Sequence, residues 1–304
     1  MSLDAKIVDE IAAELGIDPA FVEKDWYSVQ VLKTVAEHQS KTVETLFAGG
    51  TCLSKGHGLI QRFSEDLDFR CRYITPKTNT QNKKVRSGYR SDMISCIQAT
   101  DHIELDVSKV SVASNYIKFP LGYPQQYNVH ASLRPNLEVE FSFTQPRLPS
   151  QRKPIQSLIS KFTGRDPETE ILCLSPIETA ADKLSALTWR ILKRDRSTPA
   201  DDPAMVRHLH DLCALNSVIE QEQTLFIETA HGSFDGDQKT AKRETQEAFY
   251  PSLQSALAQL LGDALYRQEY QQFVDAMSYA DDEDTISFDR ALVSLEAIIA
   301  LFEA

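Results

Sequence analysis

The chain has 304 residues, of which 42% are hydrophobic, and its formal net charge at pH 7 is −12. This length allows a large core and predicts two domains. The negative charge argues against non-specific, charge-driven binding of nucleic acid. The sequence contains no apolar run long enough to span a bilayer and no charged-then-apolar leader, so it predicts a cytoplasmic protein with no membrane partner.

The first element with clear signals is a helix that ends near Glu37. It begins at Asp18-Pro19, the pattern of an N-cap residue followed by proline at the first helical position. Glu23, Lys24 and Asp25 fall in its first turns. They are interpreted either as residues that orient groups of a functional site or as a surface ion-pair set, and the sequence leaves both interpretations open.

The next segment predicts a phosphate-binding turn. Leu46–Ala48 has the pattern of the end of a buried strand. Gly49 and Gly50 lack the side chains that would keep a backbone away from a phosphate. We expect Thr51 to cap a short following helix, whose free N–H groups and positive dipole end favour an anion.

A pair of aspartates follows this helix. If Asp66 and Asp68 lie on a strand, they share one face, while Leu67 and Phe69 point into the core. Two neighbouring carboxylates repel each other unless a cation lies between them, and oxygen ligands suit Mg²⁺. Either motif alone is common on protein surfaces. Together, with one helix between them and Ser64 just before the first aspartate, they are the minimum arrangement for chemistry on a nucleoside triphosphate.

The middle of the chain predicts a loop, a helix and several strands. Thr75–Lys84 is polar and is expected to be a loop, followed by a helix over Ser87–Ala99. Runs rich in β-branched and aromatic residues then predict strands at Leu105–Ala113, Tyr116–Phe119, Tyr127–Leu133 and Leu137–Phe143.

The last of these strands offers a third carboxylate. Glu138 and Glu140 alternate with apolar residues and therefore share one face. Either one is a candidate metal ligand beside the aspartate pair, and the alternative is two exposed glutamates on an ordinary half-buried strand.

The prolines Pro146, Pro149 and Pro154 predict a domain boundary, with one domain over residues 1–150 and a mostly helical one over 151–304. Ser175-Pro176 opens a helix with an apolar stripe at Ala180, Ala181, Leu184, Leu187 and Ile191. By pattern alone, Lys183 on this helix is a surface lysine. His208 and His210 lack the spacing of a helical metal pair and are interpreted as structural or cleft-lining residues.

Cysteines and basic residues give two further expectations. Cys52, Cys71, Cys96, Cys173 and Cys213 are odd in number and have no Cys-x-x-Cys spacing, which favours reduced thiols over a disulfide framework or a zinc site. Three basic clusters are interpreted singly as solvated faces, although together in one cleft they would suit a tRNA-sized polyanion. Their members are Lys83, Lys84, Arg86 and Arg90; Arg147, Arg152 and Lys153; and Arg190, Lys193, Arg194 and Arg196.

The run from Gly49 to Asp68 resembles the signature of the AbiEii/AbiGii nucleotidyltransferase toxin family, which includes the MenT-type toxins. The matching residues are Gly49-Gly50-Thr51-x-Leu53-Ser54-Lys55, Gly58-Leu59-Ile60 and Arg62-Phe63-Ser64-Glu65-Asp66-Leu67-Asp68, with further matches at residues 22–26, 176–187 and 207–212. The chain departs from the pattern at Ala48, where many relatives carry lysine, and this puts one phosphate contact in doubt.

The resemblance implies an α+β fold, in which a nucleotidyltransferase-type mixed sheet with flanking helices precedes a mostly α-helical C-terminal domain. It implies that this second domain contributes Lys183 and Asp211 to the cleft as catalytic residues. The implied metal ligands for Mg²⁺, or Mn²⁺ in its place, are Asp66, Asp68 and Glu140. The implied nucleotide-binding residues are Gly49, Gly50, Thr51, Lys55, Arg62 and Ser64. For Lys55 and Arg62 the alternative is that they brace the aspartate strand. Asp211 is expected to hold Lys183 or Arg207, or to form a surface ion pair.

The resemblance also implies a toxin of a bacterial toxin–antitoxin system, of a kind associated with phage defence. Such an enzyme transfers NMP from an NTP to an RNA acceptor, expected to be the 3′ end of a tRNA, with release of pyrophosphate, and it has a cognate antitoxin. Two alternatives stay open. One is a nucleotidyltransferase acting on a protein or small molecule, which the acidic net charge keeps open. The other is a non-catalytic nucleotide-binding module, against which the intact Asp66–Asp68 pair argues.

Overall fold

The computed structural model describes residues 3–75, 78–281 and 283–303. The chain divides into two compact units. Unit 1 holds the residues up to Gly58 together with Phe63–Leu174, and unit 2 holds Leu59–Arg62 together with the residues from Ser175 onward. Across the described residues, no helix combines the length and the apolar character that a membrane span requires.

Unit 1 is built on a mixed sheet. The strands found in the described residues are β1 (Val43–Ala48), β2 (Asp66–Tyr73), β3 (Glu104–Leu105), β4 (Ser111–Ala113), β5 (Tyr116–Gly122), β6 (Leu137–Ser142), β7 (Gln151–Ile155) and β8 (Thr169–Cys173). Their order is β3-β5-β6-β2-β1-β8-β7, and β4 pairs with β5. Strand β2 is antiparallel to β1 and parallel to β6, while β1 is parallel to β8. The expected α+β class with a mixed sheet is confirmed.

Side-chain alternation along β2 and β6 separates the core from the functional face. Leu67 and Phe69 of β2 are buried, as are Val139 and Phe141 of β6. The rings of Phe69 and Phe141 stack with their centroids 4.9 Å apart. Because successive side chains point to opposite faces of a strand, the acidic residues between these apolar ones all lie on the other face.

Helices flank this sheet. In unit 1 they are α1 (Ala5–Leu15), α2 (Pro19–Glu37), α3 (Gly49–Lys55), α4 (Asn79–Gln98) and α5 (Leu158–Phe162), with a 3₁₀ turn at Val107–Lys109. The predicted bounds of α2 are confirmed, and the carboxylate of Asp18 caps it by accepting a hydrogen bond from the N–H of Ala20. Helix α3 is the short helix predicted after the glycine turn.

Two predictions in the middle of the chain are wrong in their bounds. Helix α4 starts at Asn79, inside the segment predicted as a loop, because Thr78 and Gln81 form a capping box that satisfies the first backbone groups of the helix. Pro76 and Lys77 of that predicted loop lie outside the described residues. The predicted strand over Leu105–Ala113 is interrupted by the 3₁₀ turn.

The predicted strand over Tyr127–Leu133 is wrong, since residues 123–136 belong to no helix or strand. Hydrogen bonds that involve side chains hold this segment in place of a β-ladder. The backbone N–H of Gln126 donates to the carboxylate of Glu23, and the hydroxyl of Tyr127 donates to the backbone carbonyl of Ala5. The strand predicted at Leu137–Phe143 is present as β6.

The chain does not leave the sheet at the prolines, where the domain boundary was predicted. Residues 151–173 contribute β7 and β8, and unit 1 extends to Leu174. Pro154 lies in β7, the edge strand of the sheet, where a missing backbone N–H is tolerated. Pro154 therefore marks an edge strand, while Pro146 and Pro149 lie in the connection between β6 and β7.

Unit 2 is helical throughout its regular elements. They are α6 (Pro176–Leu192), a 3₁₀ turn (Pro203–Val206), α7 (Arg207–Ala214), α8 (Asn216–Gln221), α9 (Gln223–Gln238), α10 (Phe249–Gly262), α11 (Leu265–Met277) and α12 (Phe288–Ala300). Helix α6 packs against α7, α9 and α10. The apolar stripe predicted for α6 is buried, which explains why this helix lies at the centre of the unit. The stripe consists of Ala180, Ala181, Leu184, Leu187 and Ile191.

Candidate active site

Four carboxylates lie on one face of two adjacent parallel strands. In the register of β2 and β6, Asp66 lies opposite Glu138, and Asp68 lies opposite Glu140. The side chains of Asp66, Glu138 and Glu140 are 32%, 16% and 27% exposed. The shared face predicted for each pair is therefore present, and the two pairs form one acidic surface.

Within the described part of the chain, Arg134 and Lys118 contact this acidic surface. Nη1 of Arg134 donates to Oδ1 of Asp66 at 2.5 Å and to Oε2 of Glu138 at 2.7 Å. Nζ of Lys118 lies 2.5 Å from Oε2 of Glu138 and 3.3 Å from Oε1 of Glu140. Glu138 is therefore shared between both cations, whereas Glu140 has the longer contact to Lys118.

The acidic surface suits a further cation. Burial raises the pKa of Asp66, and the carboxylates of Glu65, Glu138 and Glu140 raise it further, although Arg134 acts in the opposite direction. Both effects disfavour the ionised carboxylate, and a cation bound beside Asp66 would favour it. Carboxylate oxygens are the ligands that hard divalent ions such as Mg²⁺ prefer, so the donor set fits such an ion.

The glycine turn lies against Asp68. Gly49 has a φ of +72°, and a Cβ at this position would lie 2.0 Å from Oδ2 of Asp68. Helix α3 begins here after Ala48, which makes no side-chain cap hydrogen bond. The first-turn N–H groups of this helix therefore lie beside the acidic surface without a side chain capping them.

Thr51 does not cap α3, contrary to the sequence prediction. Its hydroxyl donates to the backbone carbonyls of Asp66 at 2.6 Å and of Ser64 at 3.1 Å. The side chain therefore joins the first turn of α3 to the start of β2. Thr51 and Ser64, together with Lys55, also line one small pocket of unit 1. The glycines, Thr51, Lys55 and Ser64 are thus brought together within one unit.

The charged residues of α2 are not a surface ion-pair set. Lys24 is 3% exposed and Glu23 is 1% exposed. Nζ of Lys24 donates to Oε2 of Glu65 at 2.6 Å and to the backbone carbonyl of Arg134 at 2.8 Å. The backbone N–H of Arg134 donates to the same Glu65 oxygen. Helix α2 therefore positions both the residue before Asp66 and the loop that carries Arg134.

Lys55 is held by α2 as well. Its ammonium forms an ion pair with Asp25 and lies 3.4 Å from the backbone carbonyl of Gln156. Asp25 also accepts a hydrogen bond from the backbone N–H of Leu158 at 2.8 Å. These contacts brace α3 at its C-terminal end, and both roles considered for Lys55 stay predictions.

A buried ion trio occupies unit 2. Asp211 is fully buried, and its Oδ1 and Oδ2 accept hydrogen bonds from Nε and Nη2 of Arg62, both at 2.6 Å. Oδ2 also lies 2.7 Å from Nζ of Lys183. The expectation that Asp211 holds Lys183 is confirmed, whereas Arg207 pairs with Asp202. Lys183 is not a surface lysine, since it is 7% exposed.

Burial and the ion pairs act in opposite directions on the charges of the trio. Burial alone would raise the pKa of Asp211, but Arg62 and Lys183 hold it well below its usual range. Burial lowers the pKa of Lys183, and Asp211 partly restores it. With one carboxylate and two cations, the ionised trio carries a net positive charge, which is the sign that binding a phosphate requires.

The third predicted basic cluster is largely neutralised within unit 2. Arg194 forms ion pairs with Asp201 and Glu269, both at 2.7 Å. Arg196 pairs with Asp263 at 2.8 Å and also with Glu269. Carboxylates therefore already engage these guanidinium groups, which weakens the expectation that this cluster binds a polyanion.

Sequence reasoning missed two residues of the acidic surface. Lys118 had a usable signal, because it alternates along β5 with the buried residues Ile117 and Phe119. Arg134 lies in the irregular segment after β5, and its approach to Asp66 depends on Lys24 and Glu65. A local pattern does not contain that information.

Comparisons with known proteins give one family match and one similar structure. Residues 30–294 match the family model described as the nucleotidyl transferase AbiEii toxin of a type IV toxin–antitoxin system. The chain is similar in structure to MenT4, a nucleotidyltransferase toxin from Mycobacterium tuberculosis H37Rv, with a TM-score of 0.59, 17% sequence identity and coverage of 100% of both chains. At this identity the likeness shows the fold alone. Among curated proteins, none matches the chain.

Proposed function

The chain belongs to the AbiEii nucleotidyltransferase toxin family of type IV toxin–antitoxin systems, and we propose that it transfers NMP from an NTP to the 3′ end of a tRNA with release of pyrophosphate. Membership of this family makes the chain a nucleotidyltransferase and implies an NTP substrate and an antitoxin partner. One observation carries the proposal within unit 1. The uncapped first turn of α3 lies directly beside Asp68 of β2, which in turn lies opposite Glu140 of β6.

We propose Asp66, Asp68 and Glu140 as the residues that would hold Mg²⁺, with Mn²⁺ as a substitute. Bound there, the ion would neutralise the triphosphate and its leaving group. Each glutamate lies opposite one aspartate in the ladder. Glu140 is preferred because Glu138 is engaged by both Arg134 and Lys118, whereas Glu140 has the longer contact to Lys118.

The remaining groups of unit 1 would bind the triphosphate and move a proton. The backbone N–H groups at Gly49, Gly50 and Thr51 would bind phosphate oxygens at the start of α3, with the Ser64 hydroxyl as a further donor. A carboxylate of the acidic surface would take the proton of the acceptor hydroxyl. The freed oxygen would form a bond to the α-phosphorus as the bond to the β-phosphate oxygen breaks, so that pyrophosphate leaves.

Lys55 and Arg62 are proposed as positioning residues. Lys55 is held by Asp25, and Arg62 is held by Asp211 with both of its hydrogen bonds at 2.6 Å. The catalytic role expected for Lys183 and Asp211 remains a prediction. The net positive charge of the trio supports this catalytic role. The variant Lys183→Met, which removes the ammonium charge, tests the role by the rate of nucleotide transfer.

The experiment is transfer of α-labelled NTPs, each in turn, to total tRNA with Mg²⁺. The wild type should label tRNA, and Asp66→Asn/Asp68→Asn should not. Glu140→Gln should lower the rate about 10²–10³-fold, the usual loss when a group that stabilises transition-state charge is removed. Glu138→Gln is the matched control and should retain most activity. Equal rates in the two glutamine variants would contradict the assignment of Glu140.

A protein or small-molecule acceptor is the second candidate. The net charge of −12 and the ion pairs of Arg194 and Arg196 keep this candidate open. Pyrophosphate release without label on tRNA would indicate this acceptor class. Neither label nor pyrophosphate, from folded protein with any NTP, would contradict both candidates and favour a non-catalytic nucleotide-binding module.

A further inference from the structure

Two cysteines and one histidine of unit 1 meet at the base of α3. Cys52 lies in α3, His57 follows that helix in the chain, and Cys173 ends β8. One ligand atom from each side chain lies within 4.8 Å of the other two. Cys52 is 1% exposed and Cys173 is fully buried, whereas His57 is partly exposed.

His57 makes the outer hydrogen bond that metal-binding histidines usually make. Nε2 of His57 lies 3.0 Å from the backbone carbonyl oxygen of Leu174. A carbonyl oxygen only accepts hydrogen bonds, so Nε2 carries the ring proton and Nδ1 keeps its lone pair. Histidine ligands usually donate their other ring N–H to a carboxylate or backbone carbonyl in this way.

The backbone leaves room for the two sulfur atoms at Gly56. A Cβ on this residue would lie 2.7 Å from Sγ of Cys173 and 3.6 Å from Sγ of Cys52. A side chain at residue 56 would therefore push the sulfur of Cys173 out of place. The close approach of α3 and β8 at the sulfur atoms depends on this glycine.

We propose that Cys52, His57 and Cys173 form a Zn²⁺ site. Two sulfur ligands and one imidazole suit zinc and exclude Mg²⁺, which takes oxygen ligands. Zinc binding would release two thiol protons to solvent, and the two thiolates would cancel the charge of the ion. The resulting neutral centre suits a buried place between α3 and β8. A water molecule would complete the tetrahedron on the partly exposed side of His57.

This site is separate in chemistry from the acidic surface. Zinc here would fix α3, which carries the glycine turn, to the strand beside β1. The sequence expectation of cysteines without a zinc site rested on the lack of Cys-x-x-Cys spacing. The fold supplies the ligands instead from α3, from the turn after it and from a strand far along the chain.

The test is the zinc content of the full chain, measured by elemental analysis after equilibration with Zn²⁺ and removal of excess ion. We expect about one Zn²⁺ per chain, because the three side chains form one site with water as the fourth ligand. Cys173→Ser and His57→Gln should each lower the zinc affinity at least ~10-fold. The controls are Cys96→Ser/Cys213→Ser and Asp66→Asn/Asp68→Asn, which should bind zinc as the wild type does. The second control separates this proposal from the proposed function.

Spectroscopy keeps the proposal testable if a variant does not fold. Co²⁺ added to wild-type protein should give thiolate-to-metal charge-transfer absorption together with tetrahedral d–d bands, and Zn²⁺ should displace both. Wild-type protein that binds no Zn²⁺ and shows no charge-transfer band with Co²⁺ would overturn the proposal. A disulfide between Cys52 and Cys173 in freshly isolated protein, with three titratable thiols instead of five, would also overturn it.

Discussion

Asp68 places its carboxylate where a side chain on Gly49 would lie, since a Cβ there would be 2.0 Å from Oδ2 of Asp68. The turn before α3 and the acidic surface therefore depend on one another. Glycine is needed at position 49 for two reasons. It leaves room for the Asp68 carboxylate, and its φ of +72° is a conformation that other residues rarely adopt. A control at another glycine separates these reasons.

Gly49→Ala should abolish most nucleotide transfer. The methyl group must displace Asp68, and a displacement of about 1 Å in an active site can cost about 10²-fold in rate. Gly164→Ala is the matched control, because its φ is +65° and a Cβ there would meet no atom within 4 Å. Both variants should lose about 1 kcal/mol or more of stability through backbone strain. Steady-state rates would show whether only Gly49→Ala loses activity, and thermal melts would compare the stability of the two variants. Equal losses of activity would contradict a clash between the new methyl group and Asp68.

Arg134→Gln should reduce the Mg²⁺ concentration needed for half-maximal activity. The guanidinium binds Asp66 and Glu138 and therefore competes with a metal ion for the acidic surface. Its side chain is 45% exposed, so its contribution is screened, and we expect a shift of about two- to fivefold. Mg²⁺ titrations of pyrophosphate release would measure it. Arg72→Gln is the control, since Arg72 pairs with Glu44 instead. An unchanged or increased Mg²⁺ requirement would argue that Arg134 does not compete with the ion.

Asp211→Asn should strongly destabilise the protein. The substitution removes the carboxylate that pairs with both buried cations, Arg62 and Lys183, and breaking a buried ion pair in this way typically costs about 3–5 kcal/mol. Asp289→Asn is the matched control. Asp289 is 72% exposed and pairs with Arg267 on the surface of the same unit, so its loss should not be measurable. Urea unfolding monitored by circular dichroism would compare the two midpoints, and similar midpoints would show that the trio adds little to stability.

Below about pH 6.5, His208 should make folding stability fall with pH. Burial, followed by the charges of Lys183, Arg207 and Arg190, holds its pKa well below the usual range. Neither ring nitrogen has a hydrogen-bond partner among the described residues. Below about pH 6.5, His208 is therefore protonated in the unfolded chain but stays neutral in the folded chain. Because the unfolded state binds the extra proton, folding stability declines as pH drops through the ordinary histidine pKa of about 6.5.

The expected slope from His208 is at most about 1.4 kcal/mol per pH unit, the value for one proton. His208→Gln should remove this slope between pH 7 and pH 5, and a series of denaturant unfolding curves would measure it. His231→Gln, at an exposed histidine of the same unit, is the control and should keep the wild-type slope. A wild-type slope in His208→Gln would mean that this histidine titrates equally in the folded and unfolded states.

The sequence alone determined the features whose physics is local. Helix α2 was predictable because Asp18 caps it and Pro19 fits its first turn. The shared face of Asp66 and Asp68 followed from the two-residue period of a strand, which buries Leu67 and Phe69 opposite them. The same period placed Glu138 and Glu140 together, and the order of these motifs sufficed to indicate the family.

Only the tertiary structure decided which groups from distant parts of the chain meet. Arg134 reaches Asp66 because buried contacts of Lys24 hold its loop, and no spacing rule records such a contact. Lys183 had the pattern of a surface lysine, yet Asp211 holds it in the core of unit 2. Cys52 and Cys173 come together because β8 lies parallel to β1, the strand that leads into α3. In each case the energy of the contact depends on burial and on a partner far away in the chain, and the fold as a whole sets both.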